Sequence, residues 1–172
     1  MNVERSAQPV SATRLVSVTR SLLRASTLCA VATASTAGRP HINTAYFAWG
    51  DPFDIVWLSS PAARHSRNVR RSGSAAIAVF DSTQRWGDTD RGIQVFGTAR
   101  ELTGRAVDAA RRLYVRRFPD AVDADLGAYR YYRLATRRVK LFDERRFGGA
   151  TFVMARVRRD GTLEWLTTER YR

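Results

Sequence analysis

Short apolar runs, each closed by a turn sequence, recur along this chain, and they restrict its fold more than any single motif does. TLCAVATAST, a turn at Ala37-Gly38-Arg39-Pro40 and HINTAYFAW read as the two strands of a hairpin, and Gly50-Asp51-Pro52 turns into a third strand, FDIVWL. SAAIAVFD reads as a fourth strand. Beyond the polar loop STQRWGDTDR, GIQVFGTAREL reads as a fifth, with Gly97 a candidate bulge. YYRLATRRVKLFD, ATFVMARVR and TLEWLT supply three more, the last two joined by Arg159-Asp160-Gly161. Helical spacing is confined to three places. Residues 11–26 carry Leu15, Val18, Leu22 and Leu23 on one face with Ser11 or Thr13 as a cap; AARHSRNVRR is short and basic; residues 104–118 align Val107, Ala110, Tyr114 and Phe118 and stop at Pro119. Successive strand–helix–strand units are missing. The expected fold is therefore mainly β, a closed antiparallel barrel with inserted helices and a helix at its N-terminal side. Residues 1–11 are expected to be a flexible tail and residues 12–172 one domain, since 172 residues can bury a single core.

Composition narrows the classes of function. An apolar fraction of 44% argues for a folded core, and no apolar run approaches the length of a membrane span. The first residues, MNVERSAQPVSATR, include Glu4 and no continuous apolar stretch of the kind a secretory signal needs, so a cytoplasmic protein is expected. Cys29 is the one cysteine; in TLCAVAT it reads as a small core residue, with a reactive thiol as the alternative. The net charge of +13 comes from 29 basic and 16 acidic residues. Arginine carries nearly all of it and is scattered from Arg5 to Arg172, with Lys140 the sole lysine. Proteins that grip nucleic acid or membranes gather charge into a patch or a helix face, so neither partner is expected here. His41 and His65 are the only histidines and no metal-ligand spacing occurs, so no metal is expected. The G-x-S-x-G, G-x-G-x-x-G and G-x-x-x-x-G-K-[ST] patterns are all missing. A chain so poor in acid–base sets suits chemistry carried by a bound cofactor.

The junction from Phe53 to Gly73 has the outline of a phosphate site. FDIVWL breaks at Ser59-Ser60-Pro61 and opens the basic helix, with Ser60 a candidate cap, Pro61 suited to its first position and Gly73 suited to end it. Free amides at a helix start face an anion, and Arg64 and His65 stand where their side chains could reach the same oxygens. The alternative is an ordinary helix with arginines on its wet face.

These residues, in this order, carry a resemblance. The strand GRPHINTAYFAW, the strand ending WLSS, the helix AARHSRNVRR and the strand GIQVFGTAREL resemble the pyridoxamine 5'-phosphate oxidase-like, flavin-binding split-barrel family over residues 12–160, and RGIQVFG and RRFP bring the chain nearest to its small uncharacterised members. The resemblance implies a homodimer with FMN in clefts shared by two protomers and a small-molecule substrate. Carried over by position, Arg64 and His65 match the basic pair that grips the phosphate, and Ser59 and Ser60 match the hydroxyl that assists. Asn43, Thr44, Ala45 and Tyr46 match the strand along the isoalloxazine ring, with barrel core as the alternative for Tyr46. Asn68 matches a position near the ribityl chain, and Trp86 and Gln94 are candidates to reach across from the second protomer. Phe147-Gly148-Gly149 either approaches the ring or forms a turn. The family commonly has lysine at the His65 position, which weakens the grip if that histidine is neutral. The basic C-terminal motif of the authentic oxidases has no match in TLEWLTTERYR, despite Arg170 and Arg172. The implied activity is therefore FMN-dependent oxidoreduction. A deazaflavin coenzyme, a non-catalytic flavin or haem binder and a nucleic-acid-binding barrel stand as alternatives.

Overall fold

The computed structural model describes residues 2–122 and 125–172. Among the described residues nine strands form one sheet: β1 (Val3–Ser6), β2 (Leu28–Ala34), β3 (Pro40–Gly50), β4 (Asp54–Ser59), β5 (Ser74–Phe80), β6 (Arg91–Glu101), β7 (Arg130–Asp143), β8 (Thr151–Val157) and β9 (Leu163–Tyr171). The helices are α1 (Ala12–Arg24), α2 (Arg64–Ser72), α3 (Arg105–Arg117) and the single turn α4 (Glu144–Phe147). The strand order is β1-β9-β8-β7-β4-β3-β2-β5-β6, and a further β6–β7 pairing closes β7-β4-β3-β2-β5-β6 into an antiparallel barrel, as expected. β8, β9 and β1 extend from it as a wing.

Alternation builds the barrel interior. Val31, Phe47, Ile55, Trp57, Ile77, Val79, Ile93, Val95, Tyr132, Leu134, Val139 and Leu141 point inward and are almost entirely buried. Each such side chain contributes about 1.5–3 kcal/mol of burial. Ser11 caps α1 by accepting the Arg14 N–H, and the stripe of Leu15, Val18, Leu22 and Leu23 joins the same core. Arg91 of β6 ties this helix to the sheet: its Nε donates to the buried Asp143 carboxylate at 3.1 Å and its Nη2 to the Ser21 hydroxyl at 3.3 Å.

Two departures from a regular barrel matter for function. First, β4 pairs with β3 only from Phe47↔Trp57 to Gly50↔Asp54, while β3 continues back to Pro40 along β2. The barrel splits there. The Phe47 N–H bonds the Thr27 carbonyl and the Ser35 N–H bonds the Arg39 carbonyl, and antiparallel bonding alternates between these ends. The N–H and C=O groups of Ile42, Thr44 and Tyr46 therefore point away from β2, into the gap where β4 has turned aside. Second, the β6–β7 register shifts between Phe96 and Gly97, leaving Arg137 without a partner. A Cβ at Gly97 would stand 2.1 Å from the Ala135 carbonyl oxygen, so only glycine permits this bulge.

The segment expected to be a flexible tail is different in the structure: Val3–Ser6 pairs with Tyr171–Thr168 at the rim of the wing, and Arg172 meets Glu4 at 2.8 Å. A strand this short and polar leaves no apolar periodicity in the sequence; its place is set by the open edge of β9. The basic helix also begins later than its sequence suggests. Ser60 and Pro61 form a separate turn, in which the Ser60 hydroxyl accepts the Ala62 N–H, and Ala63 is the residue before the first helical turn, with no side-chain cap. Gly73 ends the helix as expected, at φ 66°.

Candidate functional site

The split opens a cavity of about 680 Å³, lined by Asn43, Thr44, Ala45 and Tyr46 of β3, Leu58 and Ser59 of β4, Ser60, Ala63 and His65 at the start of α2, and a third wall from α3 and the turns after it. Each wall follows from local structure. β3 supplies an unpaired backbone edge, so its amides and carbonyls are available to a ligand's polar rim. The Asn43 side-chain amide already donates to the Thr44 carbonyl at 2.7 Å, on that same side.

At the start of α2 the amides of Arg64, His65 and Ser66 have no partner among the described residues, and no acidic side chain occupies the first turn. Three free donors at the positive end of a helix make an anion site, and Ser59 and His65 stand beside them. The Ser59 Oγ and the His65 Nε2 are 2.6 Å apart, and His41 stacks parallel to His65 with centroids 6.1 Å apart. Burial, and secondarily His41, push the His65 imidazole below its ordinary value. It is a neutral hydrogen-bonding group at pH 7. Arg70 fixes the turn that leads into this helix: one guanidinium nitrogen donates to the Pro61 carbonyl at 2.7 Å, another to Glu101 at 2.9 Å, and the Tyr132 hydroxyl donates to the same carboxylate at 3.0 Å.

The remaining wall is aromatic. Phe118 meets Tyr46 edge-on at 5.7 Å and Tyr114 at 4.9 Å, and Ala121, Leu126 and Tyr129 continue the surface, with Asp120 the one acid on it among the described residues. Burial raises the Tyr114 hydroxyl to about 12, so Tyr114 stands in this wall as a neutral phenol. The sequence reading missed it. Tyr114 and Phe118 do lie on the apolar face of a helix, which reads as core; the signal that sets them apart is that two aromatics end this stripe just before Pro119.

Of the eleven residues expected at the site, seven line this cavity: Asn43, Thr44, Ala45, Tyr46, Ser59, Ser60 and His65. Arg64 is exposed at the first position of α2, at the rim. Asn68 is buried on the other face of that helix, where its amide donates to the Thr33 hydroxyl at 3.0 Å and locks α2 onto β2, so within the protomer it does not face the cavity. Trp86 is fully exposed on the loop before β6, and Gln94 lies on the outer face of β6 between Ala78 and Lys140; neither touches this protomer's cleft. Phe147-Gly148-Gly149 is a turn: Phe147 lies under the Arg14 guanidinium beside the wing, in a separate hollow that Arg170 and Arg172 also line. Cys29 is buried and its thiol is pushed up to about 12 by that burial, as befits a core residue.

A model of the pyridoxamine 5'-phosphate oxidase family matches residues 16–143, which include the strands of the barrel and α2. The chain belongs to the pyridoxamine 5'-phosphate oxidase family. Several solved proteins share its fold. A protein of unknown function from Agrobacterium tumefaciens is 22% identical with a TM-score of 0.64, over 79% of this chain and 60% of that one, so this chain spans less than two thirds of that protein. A haem-binding protein from Mycobacterium smegmatis is 13% identical with a TM-score of 0.63, over 95% of this chain and 89% of that one. A FAD-binding protein from Mesorhizobium loti is 19% identical with a TM-score of 0.59, over 81% and 94%. At such identities the likeness is one of fold. No curated protein matches the sequence significantly.

The state of His65 has a consequence for the protein's pH response. A histidine that titrates lower in the native chain than in the unfolded one leaves the unfolded state holding more protons as pH falls. Its contribution to stability is complete above about 6.5 and is lost as pH falls from there toward the native value. Thermal unfolding of the cofactor-free protein is expected to move to lower temperature below pH 6.5, and the His65→Gln variant to show a shallower decline. Parallel curves for the two proteins would mean that His65 is not the group responsible.

Proposed function

We propose that this family member is an FMN-binding oxidoreductase, with the cofactor held in the cleft of the split barrel. The observation that carries the reading is the uncapped start of α2, where the amides of Arg64, His65 and Ser66 have no partner among the described residues, beside a cavity that Ala63 and His65 line together with the unpaired edge of β3. One end suits a phosphate and the other a flat ring with polar edges, and about 680 Å³ falls in the range of sites for ligands of this size. Bound flavin supplies hydride and electron transfer. The chain's own residues supply the rest. Arg64 closes over the phosphate from the rim, the Ser59 hydroxyl and neutral His65 hydrogen-bond to it, and the backbone of Thr44 and Tyr46 orients the ring. Tyr46, Phe118 and Tyr129 exclude water from the space left for a small-molecule substrate.

A homodimer belongs to the same proposal. Leu28, Ile42, Tyr46 and Phe80 lie exposed on outward faces of β2, β3 and β5, with Ile42 67% exposed, and large apolar side chains grouped like this favour burial against another copy. In that assembly Trp86 and Gln94 of one protomer reach the cleft of the other.

The test is an absorption spectrum of the purified protein before and after FMN is added, with sedimentation to give its mass. Saturable FMN binding at one per chain in a dimer supports the proposal. A haem or deazaflavin spectrum, with FMN failing to compete, overturns the cofactor assignment, and a protein that ignores all three overturns the enzyme reading.

A further inference from the structure

The bulge in β7 makes a second site, separate from the cleft. Strand alternation should send Arg137 and Arg138 to opposite faces of the sheet, but the extra residue leaves both exposed on the outside of the barrel. They flank a cavity of about 450 Å³ floored by Ala32, Ala34, Ala75 and Ala76 and edged by Thr33, Ser74, Phe96 and Gly97. Neither guanidinium has an ion-pair partner among the described residues. The nearest register partner adds charge of the same sign: Arg138 stands opposite Arg156 of β8, whose own ion pair is with Glu164. Gathering cations on one wall is unfavourable without a counter-charge, and here a glycine that tolerates no side chain is what puts them there.

We infer that this cavity binds an organic anion, a phosphate or carboxylate group on a small apolar body, with Arg137 and Arg138 on the charged group and the alanine floor and Phe96 against the body. Two guanidinium forks match the oxygens of such a group in the way a point charge does not, and small side chains on the floor leave room for a flat ring. The site stands on its own observations and survives if the flavin reading fails.

Phenyl phosphate is the probe, titrated calorimetrically into the purified protein saturated with FMN and, separately, without it. Saturable binding is expected, weakened by about tenfold or more in the Arg137→Gln/Arg138→Gln double variant. The Arg112→Gln/Arg116→Gln variant, which removes the same charge from the exposed face of α3, is expected to bind as the parent does. Equal weakening in both variants, or full binding in the first, overturns the inference; the latter would assign the probe to the start of α2. Independently of folding in any variant, phenylglyoxal modification of the parent protein, mapped by mass spectrometry, is expected to reach Arg137 and Arg138 and to be suppressed there by the probe. Modification that the probe leaves unchanged at those two residues, or that never reaches them, also overturns it.

Discussion

Arg64→Ala is expected to raise the FMN dissociation constant by about 10–100-fold at pH 7.5, and His65→Ala by only a fewfold. The difference follows from charge. A guanidinium on a phosphate makes charge-assisted hydrogen bonds worth about 1.5–3 kcal/mol, which is that factor in affinity, whereas a neutral partner contributes about 1 kcal/mol. His65 is buried against Ser59 and His41 and is held neutral, so it orients the phosphate without attracting it. Arg64 is exposed, without an acidic neighbour in its helical turn, and is free to fold over the uncapped amides. The three amides remain in both variants, so neither substitution abolishes binding. Fluorescence titration of FMN, which is quenched on binding to protein, reads both constants. An Arg64→Ala protein that binds as tightly as the parent would remove the phosphate from the start of α2, and with it the orientation proposed for the ring.

The parts of this site that were legible in the sequence are those that lie close together in the chain. Ser59, Ser60 and His65 belong to one strand–turn–helix junction, and Asn43 to Tyr46 to one strand, so spacing and a family likeness were enough to name them. Asn68 shows the limit of that reasoning. It sits one turn beyond Arg64, yet its bond to Thr33 is made across the helix to β2, and only the packing of α2 decides which face is which. The third wall is out of reach for a different reason. Phe118 meets Tyr46 through tertiary contact across a long separation in sequence, with Tyr114 packed on Phe118, and an aromatic pair on an apolar helix face carries no mark that distinguishes a cleft from a core. The strand boundaries fared well because alternation and turn residues agree with the barrel at nearly every position. β1 escaped because four mostly polar residues have no preference of their own; the free edge of β9 supplies it.

Trp57→Ala is expected to cost about 3–5 kcal/mol, the range for removing a large aromatic from a core, against a total stability of about 5–15 kcal/mol for a domain. Trp57 is fully buried, stacks on Tyr132 with centroids 5.7 Å apart, and pairs with Phe47 at the last position where β3 and β4 remain joined. Deleting it empties the core at the point where the barrel divides, so the loss falls on the hinge of the cleft as well as on the fold. The melting temperature is expected to drop by about 6–20 °C, and FMN affinity to fall with it in protein that is still folded. Trp57→Phe separates packing from hydrogen bonding. The indole Nε1 has no partner among the described residues, so the smaller ring keeps much of the contact with Tyr132 and relieves a buried unpaired donor. Its cost is expected to be less than half that of the alanine variant, with the cleft intact. Calorimetric melts and FMN titrations on the same preparations give both quantities. Equal losses in the two variants would mean that the indole nitrogen has a partner after all, and loss of stability without loss of FMN binding would free the cleft from this hinge.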